Sequence, residues 1–260
     1  MQWPGQLPQA KKSTEVRIKK TALPKVAQSS TTLAQLDENI THCFACPRLV
    51  TWREDVAVVK RKAYLEHQYW GKPISGFGVS KPRLMIVGLA PGAHGANRTG
   101  RIFTGDASGD WLFGSLHRIG IAKISTSFSR DDGQKLVHTR ITTAVRCAPP
   151  DNKPSNDERD MCAPWLLREF ELALPTTRAF VGLGAFAWSA LFKALRELGH
   201  VIPTVKFGHG AQLIYTHEGV EYLLIASYHP SQQNTFTGKL TTTMLDSVLT
   251  KAGKFSHAID

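Results

Sequence analysis

Short apolar runs alternate with longer amphipathic stretches along most of the chain. Four of the runs have the length and composition of buried strands, at residues 84–88, 141–145, 178–183 and 222–226. Patterns typical of amphipathic helices cover residues 108–119, 155–174, 185–198 and 240–251. Strands that alternate with helices favour a parallel sheet covered on both faces. We therefore predict an α/β fold of the three-layer α/β/α type, with a central, mostly parallel four-stranded sheet.

Local signals mark the ends of some elements. Ser108 is a candidate N-cap for the first of these helices, and Gly120 is a candidate stop. Ser155 and Glu158 have the spacing of a capping box. Residues 213–216 are expected to pair antiparallel with the strand that begins at Tyr222, through a turn at residues 217–219.

Three loops that follow predicted strands are rich in glycine, proline, asparagine, histidine and charged residues. They span residues 89–108, 146–155 and 227–238. In an open α/β sheet, ligands bind beyond the carboxyl ends of the strands. We therefore expect the three loops to meet in one site.

Composition and charge narrow the class of protein. The chain has 260 residues, of which 42% are hydrophobic, and no stretch approaches the ~18 apolar residues of a membrane-spanning helix. Its N-terminus lacks the apolar run of a signal peptide, so we expect a reducing cytoplasmic compartment and no membrane partner. The 32 Lys and Arg exceed the 21 Asp and Glu, for a net charge of +11. This excess predicts a polyanionic partner, most often nucleic acid, although a basic bias of the source proteome is an alternative.

The first 32 residues are more basic than the rest. They contain six Lys or Arg against a single acidic residue, Glu15, together with three prolines and a run of Ser and Thr. This composition predicts a disordered basic arm over residues 1–32, followed by a single domain over residues 33–260.

The four cysteines form a pattern typical of a metal site. Cys43 and Cys46 make a C-x2-C pair, Cys147 follows a predicted strand, and Cys162 lies near a helix start. Four thiolates with none left over suit zinc or an iron–sulfur cluster, and spacing alone does not separate the two. Disulfides, a redox-active pair and four unrelated buried thiols are the alternatives.

The first and third loops carry the side chains best suited to chemistry. Residues 95–101 approximate a phosphate-binding loop, but Arg101 and Ile102 replace the lysine and the hydroxyl residue, so a nucleotide triphosphatase is not favoured. The glycine-rich first loop also holds Phe103 and Asp106. In the third loop, His229 directly follows a strand and precedes a run of hydroxyl and amide side chains suited to phosphate contacts.

These motifs together resemble the uracil-DNA glycosylase superfamily, specifically family five, the type b enzymes. The matching residues are C-x2-C-x-R-L at 43–49, G-L-A-P-G-A-H-G-A-N-R-T-G-R-x-F-T-G-D at 88–106, A-V-R-C-A-P-P-x-N-K-P at 144–154, and Y-H-x-S-x-Q-N-T-x-T-G-x-L-T at 228–241. The long run at 88–106 makes the match specific. Residues 1–32 lie outside it.

The resemblance implies a role for each matching position. A [4Fe–4S] cluster would be held by Cys43, Cys46, Cys147 and Cys162, and the catalytic residues would be Asp106, Asn152, His229 and Asn234. Phe103 would stack on the extruded base beside Gly92 and Ala93, and DNA would be contacted by Arg98, Arg101, Lys153 and Ser231.

The implied activity is hydrolysis of the bond between uracil and deoxyribose in DNA. A base must leave the duplex before that bond can be reached. No lysine is placed as a nucleophile, so we expect a monofunctional glycosylase that does not cut the strand. The first turn holds Leu89 and Ala90 and no side-chain amide, so other deaminated bases such as hypoxanthine are also expected substrates.

Two rival hypotheses remain at this stage. One is a non-catalytic protein that binds damaged DNA, and the other is a zinc-stabilised nucleic-acid protein without a pocket. We expect a monomer that acts on nucleoid DNA, single- or double-stranded.

Overall fold

The computed structural model describes residues 16–259. Within that range the strands are β1 (Phe77–Gly78), β2 (Leu84–Gly88), β3 (Thr139–Thr143), β4 (Ala179–Leu183), β5 (Gln212–His217) and β6 (Val220–Ser227). The helices are α1 (Leu23–Ser29), α2 (Leu33–Thr41), α3 (Pro47–Val59), α4 (Ala96–Thr99), α5 (Ala107–Arg118), α6 (Asn156–Ala173), α7 (Ala185–Glu197), α8 (Gln232–Phe236) and α9 (Thr242–Phe255). Short 3-10 helices cover Lys62–Tyr64 and Pro150–Asn152.

The strands form one sheet with the order β1-β3-β2-β4-β6-β5. The four central strands are parallel, and they are the four that the apolar runs predict. The two edge strands pair antiparallel, so the sheet has six strands and not four. Strand β1 has two residues, too few to leave a periodic signal, whereas β5 is the expected hairpin partner of β6.

Alternate residues of the central strands face opposite sides of the sheet, and helices cover both sides. Leu84 and Ile86 of β2 pack in the same buried cluster as α5 and α9. Met85 and Val87 point the other way and pack with α6 and α7. A strand buried on both faces explains the continuous apolar run, and the predicted three-layer architecture is confirmed.

Strand β3 is buried although it is polar, because its side chains enter an ion-pair network. Arg140 donates from Nε to Oε1 of Glu169 at 2.6 Å, and Thr142 donates to Oε2 of the same carboxylate at 2.6 Å. Arg146 also bonds Glu169. Burial acts to raise the pKa of Glu169, but the charges of Arg146 and Arg140 lower it below its ordinary value. The network fixes α6 against the loop that carries Cys147.

The prediction of an unstructured arm over residues 1–32 is wrong for the part that is described. Ile18 bridges to Cys43, and α1 packs against α2 and α6. Leu23 and Ala27, one helical turn apart, are buried while the lysines of this segment remain exposed. The apolar stripe of α1 has only two or three residues, so the basic composition of the segment conceals the helix in the sequence. Residues 1–15 of the predicted arm lie outside the described residues.

No helix within residues 16–259 combines the length and the apolar character that crossing a membrane requires.

Candidate active site

The loops that follow β2, β3 and β6 meet in a cleft of about 740 Å³ at the carboxyl edge of the sheet. The lining includes Leu89, Ala90, Gly92, Ala93, Phe103 and Asp106 from the first loop, Asn152 and Lys153 from the second, and His229 and Ser231 from the third. The expected convergence of three loops is therefore confirmed.

Asp106 begins helix α5 and also faces the cleft. Its Oδ1 accepts a hydrogen bond from the backbone N–H of Gly109 at 3.0 Å, which makes Asp106 the N-cap. The predicted N-cap, Ser108, is wrong because it is the second residue of the helix, two positions after Asp106. The other oxygen, Oδ2, is so close to Gly95 that a Cβ at that position would lie 1.8 Å from it. Burial raises the pKa of Asp106 above its ordinary value.

Phe103 lies on the floor of the cleft in a strained backbone conformation. Its φ is +50°, a region that non-glycine residues rarely occupy and that is frequent at functional sites. The ring packs on Gly88, where a Cβ would come within 2.9 Å of two ring carbons. The ring of His229 lies 5.9 Å away, measured between centroids. Glycine at the end of β2 thus makes room for an aromatic floor.

His229 and Asn234 are close together, but they face the cleft differently. Burial lowers the pKa of His229 to about 4, so its imidazole is neutral at physiological pH. Asn234 donates from Nδ2 to the carbonyl of His229 at 2.9 Å, and it is not among the residues that line the cleft. Asn234 therefore holds the backbone of His229 in place.

Asn152 also lines the cleft and lies on an exposed turn. Asp151 and Asn152 both have positive φ, at +53° and +56°. Arg48 anchors this turn, because its Nη2 donates to the carbonyl of Lys153 and its guanidinium pairs with Glu158 at 2.7 Å. The turn that carries Asn152 is thereby tied to the segment that carries Cys46.

The four cysteines line a small cavity of their own, and none forms a disulfide. Cys147 Sγ accepts a hydrogen bond from Nη1 of Arg53 at 3.0 Å, and Cys162 Sγ accepts one from the backbone N–H of Arg146 at 3.3 Å. Across the described part of the chain, no three His, Cys, Asp or Glu side chains are arranged to hold a metal ion.

Comparison with known proteins agrees with this arrangement. The family model of the uracil DNA glycosylase superfamily matches residues 75–252, more than half of the chain and all three cleft loops. The chain belongs to this superfamily. It is similar to the type-5 uracil-DNA glycosylase of Mycobacterium leprae, with 49% identity over 86% of this chain and 96% of the relative. The type-5 uracil-DNA glycosylase of Thermus thermophilus is 46% identical over 84% of this chain and 96% of the relative.

Two of the arginines expected to bind DNA in this superfamily member are buried and serve the loop itself. Arg98 donates to the carbonyls of His94 and Gly105. Arg101 makes a two-pronged pair with Asp132, at 2.8 and 2.6 Å. Neither guanidinium is free to bind a phosphate. The carbonyls of the glycine-rich loop point inward and accept hydrogen bonds from Arg98, and the carboxylate of Asp132 accepts those of Arg101. The burial and the internal partners of both side chains speak against the expectation that Arg98 and Arg101 contact DNA.

The remaining expected contact residues do reach the cleft. Lys153 is exposed and Ser231 is half-buried, and both belong to the lining. Three further residues line the cleft without a signal in the sequence: Arg61 and Tyr64 come from a segment without a periodic pattern, and His94 lies inside the glycine-rich loop.

Proposed function

We propose that this protein removes uracil from DNA by hydrolysing the N-glycosidic bond. The observation that carries the proposal is the meeting of Phe103, Asp106 and His229 in one cleft of a superfamily member. The relatives of similar length are named uracil-DNA glycosylases, which does not favour a protein that only binds damaged DNA.

The cleft suits a base that has left the duplex. Base-modifying enzymes extrude their target and hold it by stacking and by polar contacts to its edge. Phe103 offers the apolar face, and Gly92 and Ala93 let the backbone come close.

His229 is suited to stabilise the departing base. Negative charge develops on the uracil ring as the bond breaks, and a fixed donor aimed at that charge lowers the barrier. The neutral imidazole, held through its backbone by Asn234, can donate an N–H to a uracil oxygen without a prior change in protonation.

Asp106 is suited to the other half of the reaction. The sugar gains positive charge in the transition state, and water must then attack it. A carboxylate whose pKa is raised by burial is a stronger base toward that water and a counter-charge for the sugar. Asn152, which also lines the cleft, has an amide that can hold the water or read the edge of the base.

The cysteine set supports a [4Fe–4S] cluster as the structural cofactor. Arg53 is fully buried, and its Nε and Nη2 have no hydrogen-bond partner within residues 16–259. The carboxylate of Glu54 is 3.7 Å from Nη2, beyond hydrogen-bond distance, so metal-bound thiolates at Cys147 and its neighbours would add negative charge beside these donors. A set of four cysteines suits zinc as well as a cluster, and the resemblance of the motifs to family five favours the cluster. The cluster would tie the N-terminal segment to α6 and the Cys147 loop.

The turn that follows β2 supports a range of substrate bases wider than uracil. Leu89 and Ala90 line the cleft without a side-chain amide, which supports acceptance of other deaminated bases such as hypoxanthine. Lys153 and Ser231 would contact phosphates, and the +11 charge would draw a monomeric enzyme to nucleoid DNA in the cytoplasm.

The test uses matched oligonucleotides that contain uracil, hypoxanthine or only normal bases. After incubation, half of each sample is heated in alkali. Strand cleavage that occurs only after alkali, and only with a deaminated base, is expected from a monofunctional glycosylase. Cleavage before alkali, or binding of the uracil strand without any base loss, would overturn the proposal.

A further inference from the structure

One wall of the cleft takes no part in the chemistry assigned above. It consists of Arg61 and Tyr64, at the 3-10 helix Lys62–Tyr64, together with His94 of the first loop. The whole cleft holds about 740 Å³, in the range that accommodates a drug-sized ligand and larger than one pyrimidine ring needs. The space in front of this wall is therefore available to a second group.

Tyr64 is held as a platform. The Arg98 guanidinium lies under its ring, with the central carbon 4.1 Å from the centroid. Arg98 is itself fixed by three hydrogen bonds, to the carbonyls of His94 and Gly105 and to Nδ1 of His67. The guanidinium thus covers one face of the Tyr64 ring, and the ring of His67 meets it at an angle of 69° with the centroids 5.3 Å apart. The half-buried Tyr64 ring still lines the cleft, where a planar ligand can reach it.

His94 is held in a similar way. The hydroxyl of buried Tyr69 forms a hydrogen bond with its Nδ1 at 3.0 Å. Burial, and then the charges of Arg61 and Arg98, lower the pKa of His94. Nδ1 of His94 is therefore occupied by the Tyr69 hydroxyl, and the imidazole lines the cleft near the positive charges of Arg61 and Arg98.

The charge on this wall favours an anion. Arg61 is exposed, and its guanidinium makes no hydrogen bond or ion pair with any described residue, while its backbone carbonyl accepts from the N–H of Tyr64 at 2.7 Å. The acidic side chains in the cleft lining, Asp106 and Asp151, belong to other segments.

We infer that Arg61, Tyr64 and His94 form a subsite for the nucleotide next to the one that is extruded. Tyr64 stacks on the neighbouring base, while Arg61 and His94 contact the phosphate between the two nucleotides. Such a subsite is tolerant of sequence, because every base has a face on which an aromatic ring can stack. The inference rests on the proposed function, since it takes the catalytic cleft as the place where the target base is bound.

The test combines enzyme variants with a change in the substrate. Single-stranded oligonucleotides carry one uracil, with the neighbouring base on the 5′ or the 3′ side either present or removed, the sugar and phosphate being kept. Dissociation constants are measured in the Asp106→Asn background, and kcat/KM is measured with Asp106 intact. Tyr64→Ala and Tyr64→Leu remove the ring, and Tyr64→Phe keeps it.

Removal of the base on one side should weaken binding to the protein with Tyr64 about 10-fold. The Tyr64→Ala and Tyr64→Leu variants should bind the complete strand about 10-fold more weakly and show no further loss when that base is removed. Tyr64→Phe should behave like the parent. The inference would be overturned if removal of the neighbouring base weakened binding equally in the parent and in the three Tyr64 variants, on the 5′ side and on the 3′ side alike.

A matched pair of variants tests the phosphate contact separately. Arg61→Ala and Lys62→Ala each delete one cation from neighbouring exposed positions, but Lys62 does not line the cleft. The slope of the logarithm of the binding constant against the logarithm of salt concentration reports the number of phosphate contacts. Arg61→Ala should reduce this number by about one more than Lys62→Ala does. Identical salt slopes would remove Arg61 from the subsite. If no protein releases uracil while the binding differences persist, the proposed function fails and the subsite stands.

Discussion

Gly95 is the residue whose replacement tests most sharply where the Asp106 carboxylate must lie. Its φ is −94°, so the position does not require the left-handed conformation that favours glycine. The main conflict is one of space, because a Cβ at Gly95 would lie 1.8 Å from Oδ2 and 2.7 Å from Cγ of Asp106. Ordinary contact begins at 3.4 Å, so Gly95→Ala must push the carboxylate away by about 1.6 Å.

Two costs follow from that displacement. Movement of Asp106 weakens its bond to the N–H of Gly109, and loss of an N-cap costs about 1 kcal/mol of folding free energy. Misplacement of a catalytic group by ~1 Å can cost ~100-fold in rate. We therefore expect kcat/KM for uracil release to fall at least ~100-fold, which corresponds to about 2.7 kcal/mol of transition-state stabilisation.

The assay is single-turnover release of uracil from an oligonucleotide, with thermal unfolding of each variant measured alongside. Gly114→Ala is the matched control, since it lies in α5 and its Cβ would meet the flexible end of Arg118 at 3.4 Å and the carbonyl oxygen of Ser125 at 3.8 Å, both ordinary contacts. That variant should keep full activity and gain slightly in stability. A Gly95→Ala enzyme that is folded and within about threefold of the parent rate would refute the placement of Asp106 in the chemistry.

Four further outcomes are expected. Asp106→Asn should keep its melting temperature, because asparagine caps helices as well as aspartate does, and should lose ~100-fold or more in kcat. The rate of the parent enzyme should fall as the pH falls through the pKa of Asp106, at a midpoint above the ordinary 3.8, since burial raises that pKa and the carboxylate must be ionised. Arg101→Ala should destabilise the fold by about 3 kcal/mol and leave the salt slope of DNA binding unchanged, whereas Lys153→Ala should reduce that slope by about one. Cys147→Ser should lower both the iron content and the melting temperature of the purified protein.

The pH dependence of stability adds a check on Arg101. Burial acts to raise the pKa of Asp132, but the hydrogen bond from Arg101 lowers it to about 2. The stabilisation is therefore complete above pH 3.8 and is lost as the pH falls toward 2. Arg101→Ala should reduce this acid sensitivity, while the backbone N–H groups of Gln134 and Ser129 still lower the pKa of Asp132. A changed salt slope in that variant, or an unchanged one in Lys153→Ala, would contradict our assignment of which cations face DNA. An iron-free parent protein would contradict the proposed cluster.

The strands and the meeting of the loops were predictable because both follow from local patterns. A four- or five-residue apolar run leaves few alternatives to a buried strand, and parallel strands bring their following loops to one edge. Strand β3 begins at Thr139, two residues before the apolar run at 141–145, because Thr139 and Arg140 are polar and the burial of Arg140 depends on Glu169 from a distant helix.

The individual roles of loop residues were harder to predict. Arg98 and Arg101 look like phosphate ligands in the sequence, and only the inward carbonyls and Asp132 show that they are structural. Tyr64 and Arg61 lie between the motif at 43–49 and the run at 88–106, outside both, and they reach the cleft through tertiary packing alone. Such long-range partners leave no periodic signal.

The central claim is that this cleft cleaves the bond between uracil and deoxyribose, and free uracil is its direct product. The measurement is quantification of uracil released from a uracil-containing duplex by the intact protein and by Asp106→Asn. We predict stoichiometric or greater release by the parent and at least ~100-fold slower release by the variant. Release at equal rates from both proteins, or none from a folded parent, would contradict the account.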